Sequence, residues 1–422
     1  MKTPIAAILA GGLGTRLRPL TYKIPKPLVR INRKPFFSYL LSKLSSLGIR
    51  EVVLLVGYKA SMIRKYCGDG KKWGLKIVYS EEKGPLGTGG ALLNAFPSLP
   101  DRPVLLLNGD TYFNLDLKNL VKFHNKKNAW ITLYAMEGEL SERGAVTIEK
   151  NYSVKEFSEK QKNGFGLFNA GAYLIEPAAI KEMKKLIAKH RIKRNFSIEK
   201  DVLPFFAAKR KLFAYIGHGY FLDIGTHRSL IEAKEFFKYK EKGRAAIFLD
   251  RDGVINRYRE DYVKTPEEFV FEENALEGLE ELSKLDMPIF IVTNQSVVGR
   301  KIISKKMLKK IHEKMLSAFA RKNIKISGIF VCPHRPEENC SCRKPKPGML
   351  FKIRKKFGID LSSSYLISDS SADILMGNSV GCMTILLKKG LKGKDGTYKP
   401  TPSFVADDLL HAAMIIKSRL RK

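Results

Sequence analysis

Short apolar runs bounded by Gly or Asp recur along the chain. They occupy residues 5–9, 52–56, 104–107, 247–249, 289–292 and 365–367. Stretches with helical spacing lie between them, such as residues 36–47, which Gly48 closes. Buried strands that alternate with amphipathic helices are typical of parallel α/β architecture. The pattern therefore predicts an α/β protein.

A polar, charged segment at residues 238–244 separates the apolar runs into two groups. The chain has 422 residues, more than one hydrophobic core usually organises. Polar segments of this kind are typical of domain boundaries. We therefore predict two doubly wound domains, at residues 1–240 and 245–422.

Composition narrows the class of protein. Hydrophobic residues make up 44% of the chain and aromatic residues 10%, which excludes a disordered or fibrous protein. The 76 Lys and Arg residues against 42 Asp and Glu residues give a net charge of +34, which predicts anionic partners. Nucleic acid, a membrane surface and phosphorylated metabolites all meet that description.

Two further observations concern location. No apolar run approaches the ~18 residues that a membrane-spanning helix needs, and the first apolar run ends in a glycine-rich turn rather than a cleavage site. Three of the five Cys residues lie between 332 and 342, which is not a disulfide framework. We expect a cytoplasmic protein that does not bind membranes. The oligomeric state stays open.

A glycine-rich turn follows the first predicted strand. It contains Gly11, Gly12, Gly14, Thr15 and Arg16. Glycines expose backbone N–H groups to a phosphate, and an arginine adds a fork of donors. The turn matches neither the dinucleotide fingerprint nor the G-x-x-x-x-G-K-[ST] loop. By itself it indicates a phosphate site only weakly.

The turn opens a series of collinear motifs. G-L-G-T-R-L-R-P-L-T begins at residue 12 and is followed by P-K-P at 25–27, G-P-L-G-T-G-G at 84–90, N-G-D at 108–110, N-A-G at 169–171, S-I-E-K-D at 197–201 and L-D-I-G-T at 222–226. In this order they resemble the sugar-1-phosphate nucleotidyltransferases. The resemblance implies a Rossmann-like domain of the GT-A type that transfers a nucleotidyl group to a sugar 1-phosphate.

The resemblance also implies roles for individual residues. It places Arg16 and Lys26 on the triphosphate, Asp110 and Asp223 on Mg²⁺, Gly87 and Thr88 on the nucleoside, and Asn169, Glu199 and Lys200 on the sugar phosphate. The chemistry suits these types of residue, because expelling pyrophosphate requires negative charge to be neutralised. Taken singly, Asp110, Asp223 and Lys26 could equally be cap, turn or surface residues.

The second domain opens with the strand at 247–249 and the sequence D-R-D-G-V-I-N. Residues two apart on an extended strand point to the same side, so Asp250 and Asp252 are expected to converge while Arg251 points away. One carboxylate can attack phosphorus, and the other can transfer a proton.

The pattern resembles the haloacid dehalogenase superfamily of aspartate-nucleophile phosphatases. The resemblance implies Asp250 as nucleophile, Asp252 as acid and base, and Asp250, Asp252 and Asp369 as Mg²⁺ ligands. It places Thr293 and Lys344 on the transferring phosphoryl group, and Asn294, Gln295 and Ser296 on substrate. Asp373 could join this site or simply begin a helix.

Three thiols and an imidazole cluster between residues 332 and 342. Cys332, His334, Cys340 and Cys342 match a closed structural zinc site, although the spacing differs from that of common zinc fingers. With four protein ligands and no open position, such a site is expected to fix a substrate loop rather than to carry out chemistry.

The zinc loop and the following R-K-P-K-P-G resemble the D-glycero-D-manno-heptose 1,7-bisphosphate phosphatases, which implies that Arg343 contacts substrate. Histidinol-phosphate phosphatases share the loop, so they remain an alternative. The chain departs from the pattern at residues 296–301, in the short gap between His334 and Cys340, and at Ser370, where a lysine often stands.

The two resemblances fit one pathway. Removal of the 7-phosphate from the bisphosphate yields a heptose 1-phosphate, and the family that the first domain resembles uses sugar 1-phosphates as substrates. They imply a bifunctional enzyme that makes a nucleotide-activated heptose for surface polysaccharide, with GTP the expected nucleotide. The alternatives are another sugar 1-phosphate, such as glucose or mannose, joined to a histidinol-phosphate-like phosphatase, or an inactive zinc domain. A nucleic-acid-binding protein is the remote alternative, because the basic residues are dispersed and no recognised binding module occurs.

Overall fold

The computed structural model describes residues 3–140, 144–158, 165–189, 195–395, 398 and 400–420. The chain divides into two compact units, one of Met1–Gly217 with Phe221–Phe237 and the other of His218–Tyr220 with Lys238–Lys422. Both units are α/β, as the alternating pattern predicts. The boundary at residues 240–245 stays a prediction.

The N-terminal unit contains thirteen strands and eight α-helices among the described residues. The strands are β1 (Ile5–Ala10), β2 (Arg30–Ile31), β3 (Lys34–Pro35), β4 (Glu51–Val56), β5 (Lys76–Glu81), β6 (Val104–Asn108), β7 (Thr111–Phe113), β8 (Ile131–Glu139), β9 (Ala145–Ile148), β10 (Val154–Ser158), β11 (Phe165–Ile175), β12 (Leu212–Gly217) and β13 (Phe221–Asp223). The helices are α1 (Leu20–Lys23), α2 (Phe36–Ser46), α3 (Ala60–Cys67), α4 (Gly87–Ala95), α5 (Leu117–Lys126), α6 (Pro177–Lys189), α7 (Leu203–Ala208) and α8 (His227–Lys242), of which α8 extends into the residues of the second unit.

Nine of these strands, within the described residues, form one mixed sheet. Its order is β10-β9-β11-β6-β1-β4-β5, and β8 pairs with β11 and β12. On β1, Ile5 and Ala7 belong to one buried cluster, whereas Ala6 and Ile8 belong to another. The strand is therefore covered on both faces, which explains why it is a continuous apolar run rather than an alternating one.

The C-terminal unit begins at β14 (Ile247–Leu249). Its further elements are α9 (Ala275–Ser283), β15 (Ile289–Asn294), α10 (Ser296–Gly299), α11 (Lys305–Arg321), β16 (Gly328–Cys332), α12 (Gly348–Phe357), β17 (Tyr365–Ser368), α13 (Ser371–Val380), β18 (Met383–Leu387), β19 (Phe404–Ala406) and α14 (Leu409–Leu420).

These strands form a parallel sheet in the order β16-β15-β14-β17-β18-β19. Ile247 and Leu249 pack into one buried cluster and Phe248 into another, so both faces of β14 are buried. Polar side chains can then collect only where strands end.

Among the described residues, no helix combines the length and the apolar character that crossing a bilayer demands.

Candidate active sites

A cavity of about 780 Å³ opens beside the carboxyl ends of β1, β4 and β6 in the N-terminal unit. Predicted site residues among those lining it are Gly11, Gly12, Gly14, Thr15, Lys26, Gly87, Thr88 and Asp110. Its volume lies in the range of small-molecule sites. The structure thus brings the glycine-rich turn, the P-K-P lysine and the N-G-D aspartate, which are far apart in sequence, to one cavity.

The backbones of Asp110 and Asp223 lie close together, although the two residues are far apart in sequence. Thr111 of β7 pairs with Asp223 of β13, and the Ile224 amide donates to the Asp110 carbonyl at 3.0 Å. Lys26 forms an ion pair with the Asp110 carboxylate. Asp110 lines the cavity, whereas Asp223 lies outside its lining. Carboxylate oxygens of such a neighbouring pair suit a divalent cation that retains several waters.

Arg16 does not line the cavity. Its guanidinium lies against Gly225, where an added Cβ would come within 3.1 Å of Nη2 and within 2.9 Å of Asp223 Oδ1. That same Asp223 oxygen accepts hydrogen bonds from the Gly225 amide at 2.7 Å and from Ser229 Oγ at 3.0 Å. The predicted arginine therefore lies near the predicted metal ligand Asp223.

The predicted sugar-phosphate residues Asn169, Glu199 and Lys200 lie outside the cavity lining. Glu199 is nevertheless tied to it, because Thr88 Oγ1 donates to Glu199 Oε2 at 2.8 Å. Glu199 and Lys200 stand on a π-helical turn, Ile198–Val202, and such turns occur frequently at functional sites. Lys200 is exposed.

Glu82 is a cavity residue that the sequence reasoning missed. It follows β5 directly, and an added Cβ on Gly11 or Gly57 would come within 2.2 Å or 2.5 Å of its Oε1 atom. The two glycines therefore make room for this carboxylate, which also accepts the Leu86 amide at 3.2 Å. Burial raises the pKa of Glu82. The sequence signal that could have identified Glu82 was its position directly after a strand, where acids of α/β sites commonly lie.

Two acids and a threonine of the C-terminal unit converge at the carboxyl ends of three adjacent strands. Asp250 follows β14, Thr293 lies on β15 and Asp369 follows β17, and β14 pairs with both neighbours. Asp250, Thr293 and Asp369 are all buried. The convergence follows from parallel pairing, which places the ends of these strands side by side.

A buried lysine connects two of the acids. Lys344 Nζ lies 2.9 Å from Asp250 Oδ1 and 2.7 Å from Asp373 Oδ1, and all three side chains are buried. Burial favours the neutral amine, but the carboxylates of Asp250 and Asp373 prevail and raise the pKa of Lys344. Asp373, the third residue of α13, therefore lies within this cluster as well as in the first turn of the helix.

Asp252 has a different environment from Asp250. Burial and the neighbouring Asp252 charge raise the pKa of Asp250, against the opposing effect of Lys344. Burial also opposes ionisation of Asp252, but Arg251, Asn256 and Gln295 more than offset it and lower the Asp252 pKa. Two carboxylates at one site thus have their proton affinities pushed apart, which is typical of acid–base pairs in enzymes.

The expected orientation of Arg251 is wrong. Its Nη2 atom donates to both oxygens of Asp252, at 2.8 and 2.9 Å, and the side chain is 1% exposed. Strand alternation does not apply, because β14 ends at Leu249 and the chain then turns, with the Ile255 amide donating to the Arg251 carbonyl at 2.9 Å. His312 lies 3.3 Å from Arg251 Nη1.

The T-N-Q-S segment supports this cluster through hydrogen bonds. Gln295 Nε2 donates to Asp252 Oδ2 and to Thr293 Oγ1, both at 2.8 Å. Asn294 Oδ1 accepts the Lys344 amide at 3.3 Å. Ser296 is buried at the start of α10. Gln295 and Asn294 therefore hold Asp252 and the Lys344 backbone in place.

Asp369 has the features of a cation ligand. Burial and the nearby Asp250 charge raise its pKa to about 8. An added Cβ on Gly253 or Gly390 would lie 2.1 Å from Asp369 Oδ2, so the backbone packs against this oxygen more closely than any side chain would allow. Clustered buried carboxylates fit Mg²⁺, whose charge would offset their mutual repulsion.

Ser370, which stands where the resembled family often has a lysine, contacts a second loop of the C-terminal unit. Ser370 Oγ donates to Asp395 Oδ2 at 2.7 Å, and the Ser371 amide donates to Asp395 Oδ1 at 3.0 Å. The Leu391 amide, from the same loop as Asp395, donates to Asp369 Oδ2 at 2.7 Å. Where the family often has a lysine, this chain thus has a serine that ties a second loop to the site.

The four predicted zinc ligands form one cluster. Their ligand atoms all lie within 4.8 Å of one another, and sulfur–sulfur distances are 3.6 Å for Cys332–Cys340 and 3.5 Å for Cys340–Cys342. His334 Nδ1 lies 3.3 Å from Cys342 Sγ. Zn–S bonds of ~2.3 Å in a tetrahedron place sulfurs about 3.8 Å apart, so the cluster fits zinc.

The cluster is joined to the acidic site through the chain. Cys332 ends β16 and pairs with Asn294 of β15, and Cys342 precedes Lys344 by two residues. Arg343 Nη1 donates to the His334 carbonyl at 3.2 Å. The cluster is therefore placed to hold the loop that carries Lys344 and Arg343.

Fold and sites together define a phosphoryl-transfer enzyme with two α/β domains. Residues 5–240, more than half of the chain, match the nucleotidyl transferase family. The D-glycero-alpha-D-manno-heptose 1-phosphate guanylyltransferase of Aneurinibacillus thermoaerophilus is 38% identical over 220 residues, which are 52% of this chain and 92% of that protein. The chain belongs to the nucleotidyl transferase family.

Each domain also resembles a solved structure. HddC from Yersinia pseudotuberculosis is 32% identical and covers 56% of this chain and 100% of its own, with a TM-score of 0.50. Residues 341–412 match the HAD-hydrolase-like family, in agreement with the haloacid dehalogenase-like domain predicted there. The D,D-heptose 1,7-bisphosphate phosphatase from B. bronchiseptica, complexed with magnesium and phosphate, is 32% identical over 42% of this chain and 99% of its own, with a TM-score of 0.39.

Zinc occupancy gives the first prediction. We expect about one zinc per chain in protein purified without chelator, and less than ~0.5 in Cys340→Ala protein, because four converging ligands bind far more tightly than three. Elemental analysis measures both. Cys67→Ala is the matched control, since Cys67 is a buried thiol outside the cluster. A wild-type zinc content near zero would contradict the site.

The raised pKa of Asp369 predicts that magnesium binding depends on pH. Below a pKa of about 8 the carboxyl holds a proton that the cation must displace, so the apparent affinity should rise by up to ~tenfold per pH unit and level off above pH 8. Titration calorimetry in an Asp110→Ala background, which removes a ligand of the other proposed metal site, measures it. Asp369→Asn removes a proposed ligand together with its titrating carboxyl, so it should weaken magnesium binding and reduce the pH dependence, whereas a flat profile without that substitution would contradict this assignment.

Proposed function

We propose that the chain is a bifunctional enzyme of nucleotide-activated heptose synthesis. Its C-terminal domain removes the 7-phosphate of D-glycero-D-manno-heptose 1,7-bisphosphate, and its N-terminal domain transfers GMP from GTP to the resulting heptose 1-phosphate. The observation that carries the proposal is that one chain joins a domain 38% identical to a heptose 1-phosphate guanylyltransferase to the buried Asp250–Lys344–Asp373 cluster.

In the phosphatase reaction, Asp250 attacks phosphorus. Its Oδ1 atom is held by Lys344 and by the Arg251 amide, which leaves Oδ2 as the attacking oxygen. The phosphorus–oxygen bond to the sugar breaks, and Asp252 gives the leaving oxygen its proton. Asp252 then takes a proton from water, which attacks the phospho-aspartate and releases phosphate.

The hydrogen bonds around Asp252 suit the second step. Arg251, Asn256 and Gln295 stabilise its ionised form, which is the form that accepts a proton from water. For the first step the dianionic phosphate of the bound substrate must raise the Asp252 pKa. Mg²⁺ held by Asp250, Asp252 and Asp369 would supply charge neutralisation for the transferring group. We assign Thr293, Ser296 and Arg343 to substrate contacts.

In the nucleotidyl transfer, a phosphate oxygen of heptose 1-phosphate attacks the α-phosphorus of GTP and pyrophosphate leaves. The backbone of residues 11–15 and Lys26 bind the triphosphate, and Asp110 and Asp223 would hold Mg²⁺, which neutralises it. Lys26 would exchange its ion pair with Asp110 for a phosphate oxygen. We assign Asn169, Glu199 and Lys200 to the sugar phosphate.

Glu82 is our candidate for recognising the base. A carboxylate offers only acceptors, and guanine has adjacent N1–H and N2–H donors that can bond both of its oxygens. Adenine, cytosine and uracil have no such pair of adjacent ring N–H and amino donors. Glu82 lines the cavity between Gly11 and Gly57, which supports guanine as the base.

Separate acid sets predict separable activities. Asp110→Asn should abolish nucleotidyl transfer and spare phosphate release, and Asp250→Asn should do the reverse when heptose 1-phosphate is supplied. Phosphate, pyrophosphate and product mass are followed with Mg²⁺, heptose 1,7-bisphosphate and GTP. Mannose 1-phosphate, glucose 1-phosphate and histidinol phosphate test the alternatives. Loss of both activities in either variant would contradict independent sites.

Base recognition predicts the effect of Glu82→Gln. Inosine triphosphate lacks the 2-amino donor, so wild-type protein should prefer GTP over it by ~10- to 100-fold in kcat/KM, as for a hydrogen bond to a charged group. Glu82→Gln should bring this ratio close to one. Glu81→Gln is the control, because Glu81 is exposed and pairs with Arg64. An unchanged ratio in Glu82→Gln protein would remove Glu82 from base recognition.

A further inference from the structure

Tyr173 lies between two residues that the proposed function places on the sugar phosphate. Asn169 Nδ2 donates to the Tyr173 hydroxyl at 2.6 Å, and that hydroxyl donates to Glu199 Oε1 at 2.9 Å. Asn169 and Tyr173 stand on β11, whereas Glu199 lies on the π-helical turn. One hydroxyl thus connects the sheet to the turn.

The other oxygen of Glu199 is held as well. Glu199 Oε2 accepts hydrogen bonds from Ser197 Oγ at 2.7 Å and from Thr88 Oγ1 at 2.8 Å. Thr88 Oγ1 in turn accepts the Ile198 amide at 2.8 Å. Both carboxylate oxygens are therefore held by donors from three elements, and Thr88 is part of the nucleotide cavity lining.

The Tyr173 hydroxyl is unsuited to proton transfer. Its side chain is 0% exposed, and burial together with the Glu199 charge raises its pKa well above the usual value. The hydroxyl therefore keeps its proton at neutral pH and serves as a donor to Glu199. Because the hydroxyl is buried and bonded to both Asn169 and Glu199, it is placed to hold these two side chains rather than to contact substrate.

We infer that Tyr173 is a positioning residue for sugar-phosphate binding, acting by fixing the orientation of the Glu199 carboxylate. The inference rests on the proposed function, which assigns Asn169 and Glu199 to the sugar phosphate. Without the hydroxyl, Glu199 Oε1 loses its buried donor and the carboxylate can turn about its remaining contacts. Thr88, which links Glu199 to the nucleotide cavity, keeps its hydrogen bond with the Ile198 amide, so nucleotide binding should change much less.

The chain offers a matched control in Tyr134. Tyr134 stands on β8, the strand paired with β11, and is also 0% exposed. Its hydroxyl donates to the Asn114 carbonyl at 2.8 Å and accepts the Asp116 amide at 3.2 Å, with no bond to a proposed substrate residue. Tyr134→Phe therefore removes a comparable buried hydroxyl from the same sheet.

The test compares steady-state kinetics of Tyr173→Phe and Tyr134→Phe proteins with heptose 1-phosphate and GTP varied separately. We expect Tyr173→Phe to raise KM for the sugar phosphate by ~10-fold or more, as for a lost hydrogen bond to a charged group, with KM for GTP changed less than ~2-fold. Tyr134→Phe should leave both KM values unchanged. An unchanged GTP KM also shows that the N-terminal domain is folded.

A double-variant cycle tests whether Tyr173 acts through Glu199. If it does, Tyr173→Phe should add little to the KM of Glu199→Gln protein, because the oriented carboxylate is already gone. Full additivity, an equal rise in both KM values, or the same change in Tyr134→Phe protein would overturn the inference. Absence of wild-type turnover with heptose 1-phosphate would instead overturn the proposed substrate, and the cycle is then run with the sugar 1-phosphate that is turned over.

Discussion

Parallel strands buried on both faces constrain everything else in this protein. In β1 and β14, neighbouring side chains enter opposite buried clusters, so neither strand can carry polar chemistry along its length. Polar groups are confined to the strand ends, where backbone groups and loops can satisfy them. Both candidate sites lie at carboxyl ends for this reason, although one sheet is mixed and the other is parallel.

The C-terminal site concentrates charge that would be unstable if any member were missing. Lys344 is buried between Asp250 and Asp373, and Arg251 is buried against Asp252. Removing one partner of a buried ion pair typically costs ~3–5 kcal/mol, because an uncompensated charge remains. The same arrangement separates the proton affinities of Asp250 and Asp252. The ion pairs of Lys344 and Arg251 therefore balance the charge of the site and also distinguish the proposed nucleophile, Asp250, from the proposed acid–base group, Asp252.

Segments outside the sheets complete both sites, and hydrogen bonds or clustered side chains hold each segment in place. The Cys332–Cys342 cluster holds the segment that leads to Lys344, and Asp395 ties another loop to the start of α13. In the N-terminal unit, Glu199 is held by Thr88, Ser197 and Tyr173. Precise placement of a catalytic group depends on such supporting contacts, because a misplacement of about 1 Å is costly in rate.

The sequence by itself determined the α/β class, the principal strands, the collinear motifs and the four residues of the Cys332–Cys342 cluster. These are local features, since burial period, glycine-rich turns and ligand spacing act over a few residues. Tertiary structure alone decided that Glu82 enters the nucleotide cavity, that Tyr173 bridges Asn169 and Glu199, and that Asp373 joins Lys344. It also placed Arg251 on Asp252, against the strand-based expectation, because the strand ends before the alternation can apply. The contacts of Glu82, Glu199 and Asp373 join residues distant in sequence, so no spacing rule could supply them, and the contact of Arg251 with its neighbour Asp252 depends on where the strand ends.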